Sequence, residues 1–248
     1  MKFSVCVEAV YNGRDFVSSM REIKSLGYDA FEFWGWWDKD IDRINAARQE
    51  LDMRAAAFCT RFISLTEPSA RQAYIEGLKE SVQAAKKLGC DTLISQVGAD
   101  LPGVPRHEQH KSVVDGLKAC APLLEAEGVT LVIEPLNLSV DHAGYYLWQS
   151  DEAAEIVGET ASPRVKMLFD IYHQQISEGD VTRRIRKNLD LIGHMHAANT
   201  PGRHELDAGE LNYRYIFEEI DAAGYDGYMG LEYFPVREPK NGLTEVLK

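Results

Sequence analysis

Glu134, Asp170, His196 and Glu232 each lie at the end of a short apolar run, and their side chains form the donor set of a divalent-cation cage. The runs are Val129-Thr-Leu-Val-Ile-Glu-Pro, Val165-Lys-Met-Leu-Phe-Asp, His194-Met-His-Ala-Ala and Met229-Gly-Leu-Glu-Tyr-Phe-Pro, and each reads as a β-strand. They recur roughly 25–35 residues apart, about the length of one strand–helix unit. If such strands are parallel and close into a barrel, all four side chains converge at one rim. An oxygen-rich set with a single imidazole suits Mg2+ or Mn2+ better than the thiolate-rich coordination of structural zinc. An acid at a strand end can also pair with a barrel lysine or cap the next helix, but four at one level point to a common ligand.

The elements that must position these residues alternate along the whole chain. Strands are predicted over 2–9, 29–35, 53–60, 90–97, 129–136, 165–172, 194–199 and 227–234. Helices are predicted over 14–26, 41–51, 69–88, 106–127, 151–159, 181–192, 213–223 and 244–248. Gly27, Gly89, Gly128, Gly193 and Gly224 stand where a left-handed residue would end each helix. Eight strands and eight crossovers in 248 residues predict a single-domain α/β protein, a (β/α)8 TIM barrel spanning residues 1–248. The competing doubly wound sheet would carry a glycine-rich phosphate loop after its first strand, where Glu8-Ala-Val-Tyr-Asn-Gly stands instead.

Strand parity decides which side chains meet. Thr130, Val132 and Glu134 share a face, as do Lys166, Leu168 and Asp170, then His194 and His196, then Tyr228, Gly230 and Glu232. The strongly apolar neighbours lie on the opposite faces, so each candidate ligand points inward. Barrel sites form at C-terminal strand ends, which selects His196 over His194. The aromatic run Phe31-Glu-Phe-Trp-Gly-Trp-Trp37 leaves the second strand at the same rim and can wall a pocket, with Glu32 read as structural. His107 and His110 read as solvated, while His142 and His204 fall in rim loops without an assigned role.

Composition narrows the partners. The chain is 45% hydrophobic and 27% charged, with no apolar run near the roughly 20 residues of a membrane span. Its net charge of −12 would repel a phosphate backbone, so nucleic acid is not an expected partner. Cys6, Cys59, Cys90 and Cys120 are widely spaced and read as small buried residues in a reducing, cytoplasmic setting. Met1-Lys-Phe-Ser-Val-Cys goes straight into a strand with no signal-peptide plan. A small neutral or anionic metabolite held by a local cation is the expected partner, and self-association into a homo-oligomer is left open.

Pro201-Gly-Arg-His-Glu205, Gly209-Glu-Leu-Asn-Tyr213, Gly224-Tyr-Asp-Gly227 and Leu231-Glu-Tyr233 resemble the hydroxypyruvate isomerase branch of the xylose-isomerase-like sugar isomerase/epimerase barrels. Ile133-Glu-Pro-Leu-Asn137 and Phe169-Asp-Ile-Tyr-His173 are similar to motifs of the wider group, including ketose 3-epimerases. The resemblance implies that Glu134, Asp170, His196 and Glu232 ligate Mn2+ or Mg2+. It also implies that Glu134 and Glu232 form the catalytic acid/base pair and that His173 and Arg203 contact substrate. The implied reaction interconverts a small hydroxy-keto acid and its aldehyde isomer, with hydroxypyruvate and tartronate semialdehyde as the leading pair.

Arg203 offers a planar fork suited to a carboxylate, unless it spends it on Glu205 or Asp207 at the surface. His173 would lean over the site from the loop after Asp170. The loop after strand eight lacks a glycine-rich phosphate cradle, which argues against a phosphorylated substrate. Three other functions compete: a 3-epimerase of a free ketose or ketonate on the same glutamate pair, a metal-dependent phosphodiesterase, and a non-catalytic binding protein.

Overall fold

The apolar runs form eight parallel strands that pair in chain order and close into a barrel in the computed structural model, which describes residues 1–247. The strands are β1 (Lys2–Cys6), β2 (Ala30–Phe33), β3 (Arg54–Cys59), β4 (Thr92–Ser95), β5 (Thr130–Ile133), β6 (Val165–Asp170), β7 (Ile192–Ala197) and β8 (Tyr228–Leu231). Most are shorter than predicted because the chain leaves the ladder at the rim. After β1 a helical turn, Val7–Val10, replaces the expected strand end. The helix after β6 starts at once, at Ile171. The last helix, Pro239–Val246, starts earlier than expected, and Lys248 lies outside the described residues.

Two apolar layers hold the barrel. The larger core lies between strands and helices and takes the outward residues, such as Leu131, Ile133, Met167 and Phe169. A separate interior cluster of Ala57, Cys59, Ile94, Val132 and Leu168 fills the barrel, with Trp34 packed on it. Burying a side chain such as Val132 or Leu168 contributes about 1.5–3 kcal/mol. Parity therefore sorts the faces as predicted, with the candidate ligands on the interior one.

Local chemistry sets the helix ends. Asp15, Asp40 and Asn212 each accept a backbone N–H from the first turn of the following helix. Gly27, Gly89, Gly128 and Gly224 have the positive φ expected of a stop. Gly193 does not: it lies inside β7, where the pairing with β6 slips by one residue between Met167 and Leu168. A Cβ there would come within 2.8 Å of Val132 Cγ1 and 2.9 Å of Lys166 Cβ, so close approach of neighbouring strands accounts for this glycine. All four cysteines are free and buried, and among the described residues no helix is long and apolar enough to cross a membrane.

Candidate metal centre at the barrel rim

Glu134, Asp170, His196 and Glu232 converge at the C-terminal rim, with one ligand atom from each lying within 4.8 Å of all the others. Glu134 and Glu232 sit one residue past the ends of β5 and β8, yet their N–H groups still bond Ser95 and Ala197 of the neighbouring strands. The ladder thus aims both carboxylates inward. Asp170 ends β6 and divides its work between two oxygens. Its Oδ1 accepts the N–H groups of Tyr172 and His173 as a helix cap, while Oδ2 faces the site. His196 Nδ1 lies 3.1 Å from Glu232, 3.7 Å from Glu134 and 4.0 Å from Asp170.

This donor set fits a hard divalent ion. Both ring nitrogens of His196 are buried without a hydrogen-bond partner, and the three facing carboxylates are buried as well. Three buried acids around one imidazole repel one another unless positive charge enters. Arg203 supplies part of it. Its guanidinium bonds the Glu232 carboxylate and lies 3.4 Å from Asp170 Oδ2, above the rings of Tyr172 and Phe234.

The two glutamates respond in opposite ways to burial. Burial pushes the Glu134 carboxyl up to about 7, against the pull of His196 and with the negative Glu232 and Asp170 adding to the rise. Burial acts on Glu232 too, but Arg203 and His196 outweigh it and hold that carboxyl well below the usual range. Trp34 Nε1 also donates to Glu232. Burial lowers the affinity of His173 for a proton, and Arg203 lowers it further, so that ring is neutral.

The tautomer of His173 follows from its partners. Asn137 Oδ1 accepts the N–H groups of Val140 and Asp141, so its amide nitrogen is the donor. That nitrogen bonds Asp141 and lies 2.7 Å from His173 Nδ1, which also faces the Asn137 N–H at 3.3 Å. Nδ1 therefore accepts, and the proton sits on Nε2, 3.6 Å from Asp170 Oδ2. His173 is buried on the helix Ile171–Ser177; the loop expected there is absent because Asp170 caps a new helix.

All six predicted site residues meet at one place: Glu134, His173, His196, Arg203 and Glu232 line a cavity of about 360 Å³, and Asp170 lies against it. Trp34, Cys59, Phe62, Ile94, Gln96, Leu136, Asp141, His142 and Phe234 complete the wall. His142 had no assigned role from sequence; its ring lies 5.2 Å from that of His173. The expected alternative for Arg203, a surface pair with Glu205 or Asp207, is excluded because Arg237 takes both acids. Glu205 also accepts the N–H groups of Val236 and Arg237, and His204 Nδ1 meets the Phe234 carbonyl. The segment Pro201–Glu205 thus ties the β7 and β8 rim loops together while Arg203, at φ 57°, turns inward. Glu8, which carried no role in the sequence reading, accepts the N–H groups of Trp34 and Gly35 and an ion pair from Lys39, placing the aromatic wall. His107 is exposed as expected, whereas His110 is half-buried between Glu152 and Glu159.

Known proteins resemble the chain over nearly its whole length. The family model for xylose isomerase-like TIM barrels matches residues 20–248. A 2-oxo-tetronate isomerase of Cupriavidus necator is 30% identical, with 98% of this chain and 96% of that protein covered. A hydroxypyruvate isomerase of Escherichia coli is 28% identical over 98% of this chain and 97% of its own length. A solved structure titled AP endonuclease, family 2, from Brucella melitensis superposes with a TM-score of 0.94 at 28% identity, covering 99% and 98% of the two chains. Fold and full-length relatives together define a TIM-barrel isomerase. The chain belongs to the xylose isomerase-like TIM barrel family.

Proposed function

We propose that this protein is a divalent-metal-dependent isomerase interconverting a small hydroxy-keto acid and its aldehyde isomer, with hydroxypyruvate and tartronate semialdehyde as the leading pair. The observation that carries this reading is the pair Glu134 and Glu232, set on separate strands around one buried cation cage and differing in proton affinity. Two carboxylates of different basicity suit a reaction in which one removes a carbon-bound proton and the other returns it to the adjacent carbon. Glu134, Asp170, His196 and Glu232 would hold Mn2+ or Mg2+. When bound, the ion supplies positive charge where the enediolate develops.

The remaining roles belong to the cavity wall. His173 Nε2–H is a fixed donor for a substrate oxygen, and Arg203 meets the substrate carboxylate while steadying Glu232. Trp34 and Phe62 keep water away from the carbanion-like carbon. Of the three proteins named above, the two sequence relatives carry names of isomerases, and 2-oxo-tetronate, like hydroxypyruvate, is a keto acid; the third is titled AP endonuclease. The single imidazole in the cage and the net charge of −12 favour this reading over phosphodiester chemistry.

Proton NMR of the protein with Mn2+ or Mg2+ against short keto acids and free ketoses tests the proposal. Turnover of hydroxypyruvate with exchange of its carbon-bound hydrogen for solvent deuterium is expected. Turnover of ketoses alone would replace it with the 3-epimerase reading. Arg203→Lys sharpens the result: loss of the fork should cost about 1–3 kcal/mol in kcat/KM on the keto acid and much less on a neutral ketose.

A further inference from the structure

One layer below the rim, a second acidic group faces the back of the proposed metal ligand His196. Glu32 of β2 is 1% exposed, and its Oε2 lies 2.8 Å from His194 Nε2 and 3.5 Å from His196 Nε2. Strand β8, one strand removed from β2 across β1, is cleared to admit it: a Cβ on Gly230 would fall 1.9 Å from Glu32 Oε1 and 2.7 Å from His196 Cδ2. Around this cluster the interior is apolar, with Ala57, Val132 and Leu168 in the same layer system. A buried carboxylate is an expensive way to fill such space, since an apolar side chain of similar volume packs there at no electrostatic cost. Stability alone therefore does not explain it.

The His196 ring is sandwiched between two acidic layers. Nδ1 faces Glu134, Asp170 and Glu232, and Nε2 faces Glu32. An imidazole that ligates a cation offers a lone pair from one nitrogen and carries its proton on the other. At 3.5 Å the Glu32 contact is longer than a formed hydrogen bond, and both nitrogens of His196 are buried without a partner.

We propose that Glu32 is a positioning residue: it accepts the Nε2–H of His196, fixing the tautomer and ring plane so that Nδ1 presents its lone pair to the cation. His194 holds the same Glu32 oxygen from the other side. The role rests on the divalent-cation reading of the rim. Glu32 reaches neither cation nor substrate itself and acts through His196.

Electron paramagnetic resonance titration of chelator-stripped protein with Mn2+ alone tests it. Wild type should bind Mn2+, and folded Glu32→Leu should bind it roughly 10–100-fold more weakly, the usual effect of losing a ligand's hydrogen-bond partner. Glu32→Gln keeps an acceptor oxygen and should lose less. Excess Mn2+ should restore most of the kcat of both variants, which a purely structural defect would not allow. Wild-type affinity in folded Glu32→Leu overturns the role of Glu32 and leaves the cation site standing; no Mn2+ on wild type overturns both. Nitrogen-15 NMR of wild type loaded with Mg2+ decides the matter without any variant. The His196 proton should sit on Nε2, and a proton on Nδ1 overturns the proposal.

Discussion

Strands β5–β8 and strands β1–β4 end at the same rim but present different chemistry. The β5–β8 half carries all four donors of the cage, together with His173 and Arg203 from the segments that follow β6 and β7. The β1–β4 half offers Trp34, Cys59, Phe62, Ile94 and Gln96 to the same cavity. The one carboxylate it points at the site's histidine, Glu32, lies a layer lower. A cation cage needs convergent donors and a counter-charge such as Arg203, so its parts cluster. The apolar half then lowers the local dielectric, which strengthens every charge interaction across the cavity.

The comparison breaks most sharply when the charged half is emptied. Stripping divalent ions should abolish activity, and Mn2+ or Mg2+ should restore it. Full turnover in excess chelator, with no metal by elemental analysis, would sink the cation reading. Asp170→Ala and His196→Ala should lose metal affinity, which calorimetry can measure. Next in size, Glu134→Gln and Glu232→Gln should each lower kcat by about 10²-fold or more. Either variant turning over at the wild-type rate would remove that glutamate from the acid/base role.

Changes in the apolar half should be gentler. Phe62→Ala should raise KM more than it lowers kcat, because Phe62 lines the cavity and brings neither charge nor hydrogen-bonding group to it. Trp34→Phe removes one donor from Glu232 and should cost about 1–3 kcal/mol in kcat/KM, as expected for a bond to a charged group. Equal losses from Phe62→Ala and Glu134→Gln in steady-state kinetics would erase the distinction between the halves.

The smallest expected effect concerns the metal-free protein. Glu134 rises from an ordinary 4.5 to about 7 on folding, so the folded state holds its proton where the unfolded state has lost it. Stability from this group is complete below pH 4.5 and falls as pH climbs through about 7. Glu232 is held low and adds nothing in that window, whereas the lowered His173 favours the folded state as pH rises toward 6.5. The contribution of Glu134 is therefore read by difference: in chelator, the thermal midpoint of wild type relative to Glu134→Gln should fall between pH 5 and 7. A difference that does not change with pH would contradict the burial of a protonated Glu134.

Much of this arrangement is legible in the sequence because strand parity has a period of two. Val132 with Glu134, and Leu168 with Asp170, could only share a face, and the apolar neighbours identify it as inward. Parity says nothing of depth or of partners across the barrel. Glu32 and His194 meet from strands far apart in the chain, and no local pattern announces it. The glycine at 193 resembles a helix stop because it follows a helical stretch, whereas the cause is a tight strand contact. His173 reads as a loop residue because the strand pattern runs to 172 and the next helical pattern starts only at 181; the short helix that Asp170 caps through Oδ1, with Oδ2 left facing the site, has no periodic signature of its own. Within Pro201–Glu205, Arg203 bonds Glu232 while Arg237, distant in sequence, holds Glu205 and Asp207, pairings that no local pattern gives.

The missing side chain at Gly230 has a bearing on how this family can drift. With Oε1 of Glu32 filling the volume where a methyl group would stand, positions 32 and 230 share one allotment of space inside the barrel, in front of β1. A descendant that gains alanine at 230 must first shorten or move the residue at 32, and one that has lost the glutamate is free to enlarge 230. The two columns should therefore covary in a deep alignment, with glycine at 230 wherever an acid stands at 32.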